Sequence, residues 1–165
     1  MTDRASASIN GVTLRDLVAG DADACFEWMR DRESVAMAAF TAPDPDDRNE
    51  FDTWFARILA NPTVIAQAVC NGGELVGMIA TFTMDAEREL TYWIDRAVWG
   101  QGIASAALAL MLERDLHRPL QARTAVHNVR SAAVVTRHGF LEVGRDIDFA
   151  AGVQRDTEEI IFELR

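Results

Sequence analysis

The chain has 165 residues, 49% of them hydrophobic and 25% charged, with a formal net charge of −10. That length and balance fit a single globular domain with a sizeable core, and the acidic excess argues against sequence-independent nucleic-acid binding, which needs a basic surface. Lysine is absent and the sixteen cations are all arginine, which excludes a phosphate-loop lysine and a Schiff-base lysine for pyridoxal phosphate.

No apolar run approaches a membrane span, and Met1-Thr2-Asp3-Arg4-Ala5-Ser6 lacks a basic-then-apolar leader pattern. The expected address is therefore cytoplasmic, with no membrane or nucleic-acid partner. Cys25 and Cys70 have no metal-ligand spacing, so no metal is expected, and their apolar neighbours read as the surroundings of buried thiols.

In chain order, Val12 to Leu17 alternates like a first strand. Asp21 or Asp23 can cap a helix running to about Arg32, and a second helical piece covers Val35 to Phe40. The loop Thr41 to Asp47 breaks it, helix resumes from Arg48 to Leu59 with Phe51, Trp54, Phe55 and Ile58 at helical spacing, and Asn61-Pro62 ends it. A meander follows: Val64 to Val69, the hairpin turn Asn71-Gly72-Gly73, Leu75 to Thr83, a charged turn at Asp85 to Arg88, and Leu90 to Ile94. Helix is expected from Ile103 to Leu116, strand from Leu120 to His127, and a short helix from Ser131 to a Gly139 cap. Two last strands, Asp146 to Ala150 and Glu158 to Leu164, flank a Gly152 turn.

The informative stretch is Trp99-Gly100-Gln101-Gly102-Ile103-Ala104-Ser105, between a strand and an alanine-rich helix. Two glycines there let the backbone approach a ligand, and the helix start adds unpaired N–H groups and the positive end of its dipole, which suits a phosphate. A tight connection is the bland alternative. The continuation decides more: "YWIDRAVWGQGIASAAL" and "NVRSAAVVTRHGFLEVG" closely resemble the coenzyme-A motif and the following Asn-x-x-Ser…Gly-Phe segment of GCN5-related N-acetyltransferases (GNAT). Within them the resemblance is to the RimJ/RimL-type branch that acetylates ribosomal-protein N-termini. It spans Glu89 to Gly144, about a third of the chain.

The resemblance implies an α/β fold with a mixed, mostly antiparallel sheet of six to seven strands and about four helices, whose fourth and fifth strands splay apart around acetyl-CoA. It puts the pantetheine arm beside Tyr92, Trp93 and Ile94, and the pyrophosphate over Gly100, Gln101, Gly102, Ile103, Ala104 and Ser105. Trp99 stands where the family pattern usually begins with Gln or Arg. Arg96 and Arg130 are the nearest cations to offset the charge of the cofactor. Asn128 would bond the pantetheine arm and Ser131 would lie near the sulfur; a turn asparagine and a helix cap are the structural alternatives.

Acyl transfer from sulfur to nitrogen needs a route for one proton off the ammonium and a donor or favourable field for the departing thiolate. Glu89 is the candidate base, because it precedes Tyr92 as an acidic residue does in the family strand, although Thr91 replaces the usual glycine and a solvated carboxylate is the alternative. No tyrosine follows the Gly-Phe segment, so Ser131 is the remaining candidate acid, unless the thiolate leaves without one. Asp146 and Asp148 stand where some relatives carry a glutamate.

The acceptor site is expected from the first two helices and the last hairpin, with Trp28, Met29, Arg32 and Val35 as lining, though such a stripe also suits a core. Asp44, Asp46 and Asp47 could draw a cationic amine or form a solvated loop. The partner is then a small-molecule amine or a peptide N-terminus, and the family often forms homodimers, which the sequence leaves open. A Rossmann enzyme would need a third glycine where Ser105 stands. A catalytically silent acyl-CoA sensor of the same fold stays open beside the transferase.

Overall fold

The structure is a computed structural model that describes residues 7–165; the segment 1–6, read above for its lack of a leader pattern, lies outside them. Eight strands form one sheet in the order β1-β2-β3-β4-β5-β6-β8-β7. In chain order these are β1 (Ser8–Ile9), β2 (Val12–Asp16), β3 (Ile65–Asn71), β4 (Glu74–Met84), β5 (Glu87–Ile94), β6 (Leu120–Ala125), β7 (Leu141–Ala150) and β8 (Arg155–Leu164). The five helices are α1 (Ala22–Arg30), α2 (Arg32–Ala38), α3 (Arg48–Ala60), α4 (Ile103–Arg114) and α5 (Val129–Arg137). No helix among the described residues is long and apolar enough to cross a membrane.

The pleat sends alternate side chains of β5 to opposite faces. Leu90 and Ile94 join the larger core cluster with α4 residues Ala107, Leu108 and Met111 and with Val135 of α5. Trp93 packs on the other side against Cys25 and Trp28 of α1 and Phe55 of α3. The alanine-rich run of α4 thus fills the first layer, and the aromatic stripe of α3 fills the second. Cys25 and Cys70 are both buried free thiols, and burial pushes Cys25 up to about 12, far from a reactive thiolate.

Every neighbouring strand pair is antiparallel except β5 and β6, which run parallel and share only two partner positions, Glu89 with Gln121 and Leu90 with Ala122. Beyond Leu90 the strands diverge. β4 continues to pair with β5 as far as Ile94, and β8 with β6 as far as Ala125. The divergence is therefore a wedge in an otherwise continuous sheet.

Several boundaries differ from the sequence reading. The second helix begins at Arg32, because Asp31 caps it through the Ser34 N–H. It ends at Ala38, before Ala39 turns to φ 64°. The charged turn after β4 shrinks to Asp85 and Ala86, both at positive φ. The last two strands are ten residues each. β7 is an edge strand exposed along most of its length, so Leu141, Val143, Ile147 and Phe149 give no inward-outward signal.

Candidate functional site

The start of α4 is a glycine turn with free N–H groups, the geometry of an anion cradle. Gly100 and Gly102 both take φ 77°, a backbone region that side chains with a Cβ disfavour. The first helical bond runs from the Ala106 N–H to the Gly102 carbonyl at 3.1 Å. Ile103, Ala104 and Ser105 therefore present N–H groups with no helical acceptor. These residues line a cavity of about 380 Å³ together with Tyr92, Trp93, Ile94 and Trp99 of the β5 side and Asn128, Arg130 and Ser131 of the α5 side. Gln101 is exposed and is not part of that lining.

Across the wedge, the Tyr92 hydroxyl and Ser131 Oγ lie 2.7 Å apart. The structural alternative for Ser131, a helix cap, is not what the structure shows. Asn128 is the cap: its side chain accepts from the Ser131 N–H at 3.2 Å, and α5 begins at Val129. Ser131 stands one turn inside, with its hydroxyl free to meet Tyr92. Burial, opposed by the Ser131 contact, raises Tyr92 above its ordinary value, so it stays protonated at neutral pH and can donate.

Trp99 fills its position in a way the sequence did not reveal. Its indole N–H donates to the Ile94 carbonyl at 2.9 Å, and the Arg130 guanidinium lies 5.7 Å from its ring centroid. One carbonyl of the diverging strand is thereby taken by the protein itself. Arg96 is bound elsewhere, to Asp31 at 2.9 Å. The cations on the cavity are Arg130 and Arg137. Ser105 Oγ is 3.0 Å from His138 Nε2, so the helix that follows the cradle is tied to the end of α5.

The sequence reading also missed Thr124. Continuing the two β5–β6 partner positions along the strands sets Tyr92 opposite Thr124, on the face that carries Leu90 and Ala122. Thr124 is 5% exposed, and its hydroxyl is the one buried side-chain polar atom without a hydrogen-bond partner among the described residues. A buried unpaired hydroxyl costs about 1–3 kcal/mol, and no local pattern announces one.

The sequence model described as "Acetyltransferase (GNAT) domain" matches residues 12–141. The chain belongs to the GNAT acetyltransferase family. It is 29% identical over 161 residues to "Putative ribosomal N-acetyltransferase YdaF" of Bacillus subtilis (strain 168), covering 88% of this chain and 87% of that protein. The fold matches that of a spermidine N-acetyltransferase from Vibrio cholerae in complex with CoA and spermine, with TM-score 0.77, 18% identity, and coverage of 94% and 96%. It also matches RimL, a ribosomal L7/L12 alpha-N-protein acetyltransferase in complex with coenzyme A, with TM-score 0.76, 16% identity, and coverage of 94% and 95%.

On the opposite face of this GNAT sheet stands Glu89, at the closed end of the wedge. It is 8% exposed, and Arg123 Nε lies 3.5 Å away. Burial raises its carboxyl, with Arg123 pulling the other way and Glu159 adding to the rise. Glu89 lines neither of the two cavities, so any exchange of a proton with them needs water.

The expected acceptor lining divides. Trp28 and Val35 are core, Arg32 is exposed and lines neither cavity, and only Met29 reaches a second cavity, of about 690 Å³. The last hairpin lines neither cavity. It docks on the end of α2, where the Gly152 N–H donates to the Ala39 carbonyl at 2.7 Å and a Cβ would meet the Val35 carbonyl at 2.5 Å. Asp146 and Asp148 also stand away from both cavities, accepting from the N–H groups of Ile147 and Phe149 on the edge strand.

Proposed function

We propose that the whole chain acts as one N-acetyltransferase that moves the acetyl group of acetyl-CoA to a primary amine. The observation that carries this reading is the wedge between β5 and β6. It has an anion cradle at one side and a protonated hydroxyl pair, Tyr92 and Ser131, inside it. The Gly100 to Ser105 backbone would hold the pyrophosphate, with Arg130 and Arg137 offsetting its charge. The pantetheine arm carries amides, which unpaired strand edges can bond as a further strand would.

In the reaction, the nitrogen lone pair attacks the thioester carbon and the C–S bond breaks. The departing sulfur takes a proton from Ser131, which Tyr92 resupplies, and Tyr92 recovers its own from water as Glu89 releases the amine's proton to solvent. The nitrogen gives up its proton to Glu89 through water. Glu89 is suited to this because burial holds its carboxyl above the ordinary range while Arg123 keeps its anion accessible.

Calorimetry with coenzyme A, followed by thiol release from acetyl-CoA with a panel of amines and short peptides, tests the reading. Binding with amine-dependent release supports it. Binding without release for any amine makes the chain an acyl-CoA sensor, and no heat at millimolar coenzyme A overturns both.

A further inference from the structure

We propose that α2 forms the acyl end of the cofactor cavity, and that Met37 and Ala38 restrict the donor to coenzyme A thioesters with a short, uncharged acyl group. This rests on the acetyl-transfer reading and goes past it to the class of acyl donor.

The first cavity runs through the sheet. Tyr92 packs with the larger core cluster on the α4–α5 side and Trp93 with the second cluster on the other side, and both line the cavity. The end of α2 belongs to that other side. Ala39, just past its last turn, packs with Ala125, which follows Thr124 on β6 and so points to the opposite face. Yet Ser34, Met37 and Ala38 of α2 line the same cavity as Ser131 and the start of α4. The gap where β5 leaves β6 joins the two sides. A thioester with its sulfur at Ser131 and its acyl group pointing through that gap ends against Met37 and Ala38.

That wall is held in place and is apolar. Beyond the end of β5, Arg96 donates to the Asp31 carboxylate, the cap of α2, at 2.9 and 3.1 Å. Beyond the end of β6, His127 Nε2 donates to the Ala36 carbonyl at 2.9 Å. The Gly152 N–H adds a bond to the Ala39 carbonyl at 2.7 Å. The helix therefore spans the gap with a tie to each strand end, and it cannot retreat before a longer chain without breaking one. The hydroxyl of Ser34 is spent on Asp31 at 2.9 Å. The charged side chains lining the cavity are Arg130 and Arg137, both on α5.

Size and charge then select the donor. The Met37 side chain is unbranched and half-buried, so a rotamer change admits one extra methylene at a cost. Each further methylene must push Met37 into side chains already packed, and one methylene in an apolar pocket is worth roughly 10–200-fold in discrimination. An acyl group ending in a carboxylate loses its hydration at this end and meets no cation there in return.

The experiment ranks acetyl-, propionyl-, butyryl- and succinyl-CoA by thiol release with one fixed amine from the panel and, separately, by calorimetry without amine. In the wild type kcat/KM should fall about tenfold from acetyl to propionyl and about 10²-fold to butyryl, with succinyl-CoA lowest. Met37→Ala, which keeps a good helix former, should raise the butyryl-to-acetyl ratio at least about tenfold. Ala38→Val should lower the propionyl-to-acetyl ratio about three- to fivefold. Melting curves show which variants fold, and if one does not, the other variant and the wild-type ranking still decide. Wild-type use of butyryl- or succinyl-CoA as readily as acetyl-CoA, or donor ratios that move in neither variant, would overturn the proposal while leaving acetyl transfer intact. Affinity that falls with acyl length and recovers in Met37→Ala, without thiol release to any amine, would overturn the transfer reading and keep α2 as the acyl wall.

Discussion

The two ends of the β5–β6 pair are built on opposite rules. At the closed end the strands meet over Glu89 and Leu90, and a buried polar network stands close by with its charged and hydroxyl groups paired. Asp115 accepts from Thr81 Oγ1 at 2.6 Å, Arg88 Nε at 2.8 Å and the His117 N–H at 3.0 Å, while Arg88 Nη1 reaches the Thr63 carbonyl at 2.7 Å. At the open end Thr124 has no partner, and the tie across the wedge is the contact between Tyr92 and Ser131. Satisfied buried polar groups hold a fold in one arrangement, and an unsatisfied one costs stability. The same pair of strands therefore adds stability at one end and gives some up at the other.

Substitution at the closed end should act on folding. Asp115→Asn removes the charge that pairs with Arg88, so urea or thermal unfolding should show a loss of about 3–5 kcal/mol. Burial alone would raise the Asp115 carboxyl, but Thr81, the two His117 contacts and Arg88 outweigh it and hold it well below the usual carboxylate range. Its contribution is thus complete above the unfolded value near about 4 and is lost as pH falls toward the folded value. The gap between wild type and variant should narrow in acid; a gap constant from pH 7 to pH 3 would contradict this account.

At the open end the expected losses are in turnover. Ser131→Ala should lower kcat about 10²-fold with little change in melting temperature or coenzyme A affinity, and Tyr92→Phe should lower it less, because in the proposed reaction Ser131 would still face the sulfur. If the pair were only a structural tie, melting would move and kcat would not. Glu89→Gln should lower kcat/KM by about the same factor at neutral pH. It should also flatten an acid limb that in the wild type lies above the ordinary carboxylate range.

Thr124→Val gives the smallest effect and the sharpest contrast. Replacing an unpaired buried hydroxyl with a methyl should leave stability unchanged or improve it by about 1 kcal/mol, with acetyl-CoA affinity unchanged because Thr124 lines neither cavity. Destabilisation comparable with that of Asp115→Asn would erase the distinction between the two ends.

Much of this site was legible because its signals are local. Gly100 and Gly102 before an alanine-rich run announced a helix start with free N–H groups, and both take the positive φ that such a turn needs. Asn128 and Ser131 were legible as a pair, but which of them caps α5 was not, since either side chain caps well and only the docking of α5 decides. Arg96 was misplaced because nearness in sequence says nothing about Asp31, sixty-five positions away, which binds it.

The sequence by itself determined most of the order of strands and helices, the glycine turn at the start of α4 and the family pattern, because each is written in spacings of a few residues; the two-residue β1 was too short to read. The tertiary structure alone decided that Tyr92 meets Ser131, that Thr124 is left unpaired, and that Trp93 borders two cavities. Those facts depend on where β5 parts from β6 and how α5 settles over the gap. That is a matter of register and packing between segments roughly thirty to forty residues apart, on which local periodicity has no hold.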